Sequence, residues 1–361
     1  MRKLLWFLGA LLACLIAYLA LWPVSVRPVA WEVSENPGYT NAFAPNDRLS
    51  SLDLVGLDGR LGPEDADIGP DGLVYVASHK GEILRIEADR SITPFAQTSG
   101  RPLGIEFADD GTLYVADAYL GLLSIDRTGQ VTLLANEADD ESPILYADDV
   151  DIAADGAVYF SDASTRFGAE ANGGTLPASV LDLVEHSGNG RILKYDPATG
   201  KTTVFAQGLN FANGVAVNEA SNAVFVVETG AYRIWRFPLD GSPGEVVLDN
   251  LPGFPDNINN AAGGTFWVGL VSPRNAIMDN LAGNPFLRQV IMRLPDAMKP
   301  APTRYGLIFR MDAAGRVIET FQDPAGRYAL TTGAVSLPDG HIAVTSLTEP
   351  ALGLLKISSD N

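Results

Sequence analysis

A short turn motif recurs six times in this 361-residue chain, and the repetition limits the possible fold more than any other feature. Each turn is followed by an apolar strand-like run, such as residues 73–77, and then by a second run of the type Gly-x-Ile-Leu-x-Ile. Several turns lie about 40 residues apart, which is enough for four strands. A β-sandwich does not repeat one turn six times, so the pattern predicts an all-β fold, a six-bladed β-propeller. The turns are Asp71-Gly72, Asp110-Gly111, Asp155-Gly156, Glu219 to Asn222, Gly263-Gly264 and Asp339-Gly340.

Two intervals between turns are longer and contain insertions whose apolar residues have helical spacing. One lies near Pro177 to His186. The other runs from Pro273 to Arg304, with apolar residues at Ile277, Leu281, Leu287 and Ile291. We expect this second insertion to form a helical flap over one face of the propeller, which we assign to residues 61–361.

The N-terminus carries a separate signal. Leu4 to Trp22 are nineteen consecutive residues without a charge, which as a helix span roughly 28 Å, close to the hydrocarbon core of a bilayer. We predict one N-terminal transmembrane helix, a membrane anchor at residues 1–23, followed by a spacer at residues 24–60. Arg2 and Lys3 precede the apolar run, so the positive-inside rule places the propeller on the extracytoplasmic side of the membrane. A cleaved signal peptide is the first alternative, and a lipoprotein start at Cys14 is the second.

The charge of the chain limits its partners. The formal net charge of −19 repels nucleic-acid phosphates, and no cluster of basic residues offsets it, so DNA and RNA are excluded. The single cysteine, Cys14, excludes a disulfide framework and a zinc–cysteine site. Without the anchor, we expect the chain from about residue 30 onward to be soluble and monomeric, because an anchor outside the propeller contributes no core contacts.

The residue seven positions before each turn should occupy the same place in every blade, with Asn213 taking that place in the fourth blade, whose turn is looser. This place precedes the innermost strand, so the six side chains should point from one face into the central channel. Four of the six are carboxylates or amides. The six residues are Glu64, Leu103, Asp148, Asn213, Asp256 and Thr332.

The oxygen donors in this register predict a metal centre. Asn257 follows Asp256 and brings the set to three carboxylates and two amides, with no histidine or cysteine. Such all-oxygen sets favour Ca²⁺, which takes six to eight ligands at about 2.3 to 2.6 Å, over Mg²⁺. The alternative is that these residues only cap turns, as Asp and Asn commonly do. Crowded carboxylates repel one another unless a cation joins them, so we predict a Ca²⁺ site. Its ligands are Glu64, Asp148, Asn213, Asp256 and Asn257.

Other chemistry-bearing residues are weaker candidates. The chain has neither a Gly-x-Ser-x-Gly elbow nor a His-Glu-x-x-His motif. Three acids recur at matching places after the second strand of three blades, and we assign them a structural hydrogen-bonding role; they are Asp117, Asp162 and Glu228. We expect the histidines to lie solvated at the surface; they are His79, His186 and His341.

Several segments of the chain resemble the strictosidine synthase-like family. The similarity runs from about residue 60 to residue 357, includes the flap, and extends to a similar N-terminal anchor. It implies a six-bladed propeller. The matching segments are Gly62-Pro63-Glu64, Arg101 to Ile105, Gly190 to Tyr195, Ala212 to Val215, Gly253 to Ile258 and Phe321 to Pro324.

That family is similar in turn to the paraoxonases and to the gluconolactonase or senescence-marker propellers, which are calcium-dependent hydrolases of lactones, aryl esters or organophosphates. The resemblance implies that their metal glutamate corresponds to Glu64 and their two asparagines to Asp148 and Asn213. Their aspartate or Asp-Asn pair corresponds to Asp256 and Asn257. Asp148 departs from the usual asparagine and adds a negative charge.

Two further correspondences limit the reaction. The catalytic histidine of the paraoxonases corresponds to Leu103, which removes the imidazole that their mechanism uses. The essential glutamate of the alkaloid-forming synthases corresponds to Gly333, which removes the carboxylate needed for that condensation. The resemblance therefore implies that this chain lacks one catalytic residue of the paraoxonases and one of the alkaloid-forming synthases.

Three functions remain open from the sequence. The first is a membrane-anchored, Ca²⁺-dependent hydrolase of lactones or aryl esters, with Asp256 as general base or nucleophile and a small molecule as substrate. The second is a non-catalytic receptor or scaffold in which the metal only stabilises the ring. The third is a condensing lyase of the strictosidine synthase type.

Overall fold

Each repeat of the sequence forms one four-stranded antiparallel sheet, and six sheets form a closed ring in the computed structural model, which describes residues 1–357. The first strand of each sheet contacts the first strands of both neighbouring sheets, so these strands surround the axis of the ring. The apolar faces of neighbouring sheets pack together between the blades; Phe225 and Phe266, for example, are fully buried with ring centroids 4.4 Å apart. The predicted six-bladed β-propeller is confirmed.

The strands follow one another regularly along the chain. They are β1 (Asp53–Gly56), β2 (Ala66–Ile68), β3 (Val74–Ala77), β4 (Glu82–Ile86), β5 (Ile92–Gln97), β6 (Pro102–Phe107), β7 (Leu113–Asp117), β8 (Gly121–Ile125), β9 (Val131–Ala135), β10 (Ala147–Ile152), β11 (Val158–Asp162), β12 (Gly190–Asp196), β13 (Lys201–Leu209), β14 (Ala212–Asn218), β15 (Ala223–Glu228), β16 (Arg233–Pro238), β17 (Glu245–Leu248), β18 (Gly253–Ala261), β19 (Thr265–Pro273), β20 (Gly306–Asp312), β21 (Val317–Asp323), β22 (Thr331–Ser336), β23 (His341–Ser346) and β24 (Ala351–Lys356). Five sheets are sequential, from β2–β5 to β18–β21.

The sixth sheet closes the ring with a strand from the other end of the chain. Its order is β1-β24-β23-β22, and Asp53 of β1 pairs antiparallel with Leu354 of β24. The prediction that residues 24–60 are only a spacer is therefore wrong for β1, because this segment supplies the outer strand of a blade.

The six predicted turns each join the first strand of a sheet to the second. In four of them glycine follows an aspartate with φ between 78° and 85°, a left-handed conformation that glycine adopts at little cost. The first strand therefore runs away from the register residues and ends at the turn. This puts the register residues and the turns on opposite faces of the ring. The four glycines are Gly72, Gly111, Gly156 and Gly340.

Both predicted helical insertions are present on the face that carries the register residues. The helices are α1 (Arg2–Leu21), α2 (Thr175–Glu185), α3 (Ala276–Asn280) and α4 (Pro285–Met292). Helix α2 connects β11 to β12, and α3 and α4 connect β19 to β20. We call residues 175–185 and 276–302 together the lid. Short 3₁₀ turns occur at Asn41–Phe43, Arg48–Ser51, Glu219–Ser221, Thr229–Ala231 and Asp296–Met298.

Helix α1 is long and apolar enough to cross a membrane, and none of its residues is buried. The segment after it, residues 24–46, which we call the strap, packs along the propeller. Val26 is 1% exposed in an apolar cluster with Tyr146 and Phe167, and Val29 N donates to Glu185 O at 2.9 Å. A chain that starts at about residue 30 would therefore lose core contacts of the strap as well as the anchor, and its solubility stays a prediction.

Candidate metal centre

A β-bulge interrupts the first strand of five sheets at the register position. Without a bulge, successive side chains of a strand point to opposite faces; the extra residue of a bulge re-aims one of them. This is how two consecutive residues, such as Asp256 and Asn257, both come to face the channel region. The bulges lie between Pro102 and Ile105, Ala147 and Val150, Ala212 and Val215, Pro255 and Ile258, and Thr331 and Ala334.

Four of the five predicted ligands line the floor of one cavity of about 230 Å³, three on bulged strands and Glu64 just before β2; they are Glu64, Asp148, Asn213 and Asp256. The fifth, Asn257, is fully buried behind the floor. None of the five is more than 5% exposed. Thr332 is buried beside them, and its Oγ1 donates to the main-chain oxygen of Glu64 at 2.5 Å.

The two amides are held by the carboxylates in the same way. Asn213 Nδ2 donates to Asp256 Oδ1 at 2.5 Å, and Asn257 Nδ2 donates to Glu64 Oε1 at 3.3 Å. Each amide nitrogen is therefore used, and each amide oxygen, Oδ1, is left for another partner.

Unpaired polar atoms, three oxygens and one nitrogen, concentrate at this floor. Within residues 1–357, eleven buried side-chain polar atoms have no hydrogen-bond partner, and four belong to this one place. A buried polar atom without a partner costs about 1 to 3 kcal/mol, so four together require an explanation. They are Glu64 Oε2, Asn213 Oδ1, Asn257 Oδ1 and Arg101 Nη2.

The carboxylates of the floor disfavour one another's charge. Burial raises the pKa of Glu64 well above its usual range, and the carboxylates of Asp256 and Asp148 raise it further. Burial, followed by the charge of Asp256, likewise raises the pKa of Asp148. The pKa of Asp256 is raised to about 7 by burial, although the hydrogen bond from Asn213 lowers it. The floor is therefore electrostatically suited to a cation.

Arg101 is a cavity residue that the sequence analysis did not single out. It is 3% exposed, Nη1 donates to Pro102 O at 2.9 Å, and Nη2 is free in the cavity wall. Burial lowers the pKa of this guanidinium, whereas the carboxylates of Glu64 and Asp148 raise it. Two sequence signals could have pointed to it: Arg101 stands two residues before Leu103, directly before β6, and it begins one of the segments that resemble the family.

The donor set fits a calcium ion only when the amide oxygens are counted with the carboxylates. Among the residues that the structure describes, no group of three His, Cys, Asp or Glu side chains is arranged to hold a metal by itself. Three carboxylates, with one charge offset by Arg101, leave an excess of negative charge that a divalent cation would neutralise. The three unpaired oxygens of Glu64, Asn213 and Asn257 are hard donors of the kind that Ca²⁺ prefers.

The walls of the cavity are largely apolar and come from the lid, from Trp31 of the strap and from the ends of the blades. Leu103 lies at the floor, 2% exposed, where the resemblance predicts that an imidazole is missing. The arrangement suits a largely apolar ligand whose polar end reaches the floor. The apolar wall residues include Trp31, Leu176, Val180, Leu183, Met278 and Met292.

The three recurring acids have the structural role that we predicted. Asp117 Oδ1 accepts from the main-chain N–H of Arg101 at 2.9 Å, and Asp162 Oδ2 accepts from Arg191 Nε at 2.9 Å. Glu228 Oε1 accepts from the main-chain N–H of Asn210 at 2.8 Å. All three acids are fully buried, and each accepts a main-chain N–H of the chain entering its blade, which for Asp162 is that of Tyr146 at 3.0 Å.

The prediction for the histidines is wrong for His186. This residue is 7% exposed, because the α2 insertion folds under the strap and stacks the imidazole on Trp31 with centroids 3.9 Å apart. Burial lowers its pKa to about 3, so it stays neutral. His79 lies at the cavity edge, with Nε2 2.5 Å from Leu347 O, and His341 is half-buried in the turn with Asp339.

Comparison with known proteins agrees with the resemblance seen in the sequence. Residues 148–242 match the family model described as strictosidine synthase, and residues 41–86 match the one described as strictosidine synthase-like, N-terminal. The adipocyte plasma membrane-associated protein of Salmo salar is 32% identical, over 97% of this chain and 88% of that protein. The similarity therefore extends over nearly the whole chain.

Solved structures with the same fold are more distant in sequence. A gluconolactonase from Xanthomonas campestris aligns with a TM-score of 0.63 at 16% identity, over 92% of this chain and 99% of that one. A calcium-binding protein, regucalcin, from Agrobacterium tumefaciens aligns with a TM-score of 0.57 at 18% identity, over 83% of this chain and 93% of that one. At these identities the likeness shows the propeller fold alone.

Proposed function

The chain belongs to the strictosidine synthase-like family, and on that premise we propose that it is a Ca²⁺-dependent hydrolase of lactones or aryl esters. The observation that carries this proposal is the set of three unpaired buried oxygens at the cavity floor, on Glu64, Asn213 and Asn257. The gluconolactonase and calcium-binding propellers of the same fold support it.

The ion would be held by the five predicted ligands, which are Glu64, Asp148, Asn213, Asp256 and Asn257. When bound, Ca²⁺ supplies a Lewis acid that polarises a carbonyl and lowers the pKa of a water. Asp256 would take the proton from that water, because its carboxylate lies at the cavity floor beside the other donors.

The remaining cavity residues would orient the ester. Arg101 Nη2 is a free donor for the acyl oxygen, and the apolar walls exclude water from the rest of the substrate. Water adds to the carbonyl carbon while Asp256 takes one of its protons. The acyl carbon–oxygen bond then breaks, and that proton passes to the departing oxygen. An ester gives an acid and an alcohol, and a lactone gives one hydroxy acid.

The test compares matched variants of the full chain in detergent. Phenyl acetate and simple lactones are assayed with and without chelator, and Asp256→Asn is compared with Asp240→Asn, the same change in an exposed turn. Loss of a general base should lower kcat by about 10²- to 10⁴-fold, with no change for the control. Turnover that is indifferent both to chelation and to Asp256→Asn would refute the proposal.

The second candidate is a non-catalytic receptor or scaffold, which the buried Leu103 at the cavity floor favours. In that case a small molecule binds in the cavity and leaves unchanged. A lyase of the strictosidine synthase type is less compatible with the site. A Cβ at Gly333 would lie 2.9 Å from Asn259 Oδ1, so a carboxylate there would need its neighbours to move.

We also propose that α1 is retained as a single-pass anchor with the propeller on the extracytoplasmic side, as Arg2 and Lys3 before the helix indicate. A monomeric state remains a prediction. An impermeant thiol reagent should label Ser242→Cys on intact cells, in a Cys14→Ser background, if this orientation is right.

A further inference from the structure

The end of helix α1 is fixed to the lid. Tyr18 Oη donates to Arg293 O at 3.1 Å. Arg293 Nη1 donates to Leu19 O at 3.0 Å and its Nε to Trp22 O at 2.6 Å. The last carbonyls of a helix have no partner within the helix, and a cation there also offsets the helix dipole. Arg293 is 7% exposed, so cleavage that removed α1 would leave a nearly buried guanidinium without these acceptors.

The chain after α1 allows little freedom between the anchor and the propeller. Gln289 Nε2 of helix α4 donates to Val26 O at 3.3 Å, and Arg166 Nη2 donates to Ser25 O at 3.1 Å. Val24 and Met292 also pack against the apolar cluster that contains Val26. The propeller is therefore not suspended on a loose tether. With α1 in a bilayer, the lid must lie at the depth where the helix leaves the hydrocarbon.

The lid also exposes large apolar side chains. Five of its residues are between 39% and 65% exposed, while the exposed large apolar residues of the blades are scattered singly along the chain. Such a group of exposed apolar residues beside a membrane helix is typical of a surface that inserts into the headgroup–acyl boundary. The five residues are Leu176, Ile277, Phe286, Leu287 and Met298.

The same lid forms the outer wall of the cavity. Leu176, Met278 and Met292 line it, as do residues 299–302, so the cavity lies between the lid and the polar floor. We propose that the lid docks on the bilayer that α1 crosses, so that the cavity opens toward lipid and takes its ligand from the membrane. This proposal rests on the proposed function, and it makes the substrate an ester or lactone with a long alkyl chain.

Docking is tested by fluorescence on the full chain in phosphatidylcholine vesicles. Cys14 is replaced by serine, and an environment-sensitive dye is attached at Phe286→Cys or Ile277→Cys. The control is Ile318→Cys. Ile318 is similarly exposed, at 43%, but follows the turn after β20, at the opposite end of that strand from the lid. Docking predicts that lipid-borne nitroxide quenches the lid dyes and aqueous iodide quenches the control. Equal iodide quenching at all three positions, with none by the nitroxide, would overturn the proposal.

The origin of the substrate is tested with the triple variant Ile277→Asp, Phe286→Asp and Leu287→Asp. None of these side chains lines the cavity. The aspartates carry charge and do not insert into the headgroup–acyl boundary, so the lid of the variant should no longer dock. The apparent KM for a long-chain lactone carried in vesicles should therefore rise roughly tenfold or more. The apparent KM for a water-soluble short-chain lactone should stay unchanged. An equal change for both lactones would overturn the lipid route. If no lactone is hydrolysed while the lid dyes report lipid contact, the hydrolase proposal fails and the docking stands.

Discussion

Calcium should stabilise the folded propeller through the cavity floor. Glu64, Asp148 and Asp256 repel one another when ionised, and the ion both removes this repulsion and binds only the folded ring. The perturbation is exhaustive chelation followed by a calcium titration, with the melting temperature as the readout at each concentration.

The magnitude follows from the size of the folded body. A ligand at 100 times its dissociation constant adds about 2.7 kcal/mol to the free energy of unfolding. The propeller from β1 to β24 spans residues 53–356, and at about 2.1 cal/mol/K per residue its unfolding entropy is about 0.64 kcal/mol/K. The expected rise in melting temperature is therefore about 4 °C.

Matched variants separate a metal site from general stabilisation by salt. Glu64→Gln and Asp256→Asn should each reduce the rise, and without calcium each should be no less stable than the wild type, because a like charge has been removed. Asp117→Asn replaces the charged acceptor of the Arg101 N–H by a neutral amide oxygen and should destabilise equally with and without calcium. A melting curve that calcium leaves unchanged in the wild type and in all three variants would refute a metal at the floor.

Three further predictions concern pH, the strap and the missed arginine. Burial raises the pKa of both Asp67 and Asp151 to about 7, so the folded state holds protons that the unfolded state releases above 3.8. The free energy of unfolding of the calcium-free protein should thus fall as pH rises from 4 to 7. The double variant Asp67→Asn, Asp151→Asn should show a smaller fall, and an equal fall in the wild type and the variant would contradict this prediction. Deleting residues 1–46 should lower the melting temperature at least about 5 °C further than deleting residues 1–23, because only the longer deletion uncovers the apolar residues under the strap. Arg101→Met should lower kcat/KM at least about tenfold, and Arg101→Lys should lower it less. Both variants should keep the calcium-induced rise in melting temperature. An unchanged kcat/KM in Arg101→Met would exclude a contact between Arg101 and the substrate.

Much of the candidate site followed from counting along the sequence. The turn motif fixes one topological position in every blade, so a count of seven residues led to Glu64, Asp148 and Asp256 without any knowledge of distances. The bulge was not predictable, because no residue type marks it. It decides that Asn257 lies behind the floor with its nitrogen on Glu64, and so leaves its oxygen unpaired.

The six blades, the apolar helix and the register of the oxygen donors could be predicted from the sequence, because each depends on local periodicity or on a repeated turn. Three features became visible only in the folded chain: β1 closes the ring, Arg101 reaches the cavity, and Arg293 binds the end of α1. These three features join residues far apart in the chain: β1 and β24 are separated by about 300 positions, and Arg293 by 274 from Leu19. A contact at such separation leaves no pattern in a single sequence, since either partner alone resembles any other surface strand or turn residue.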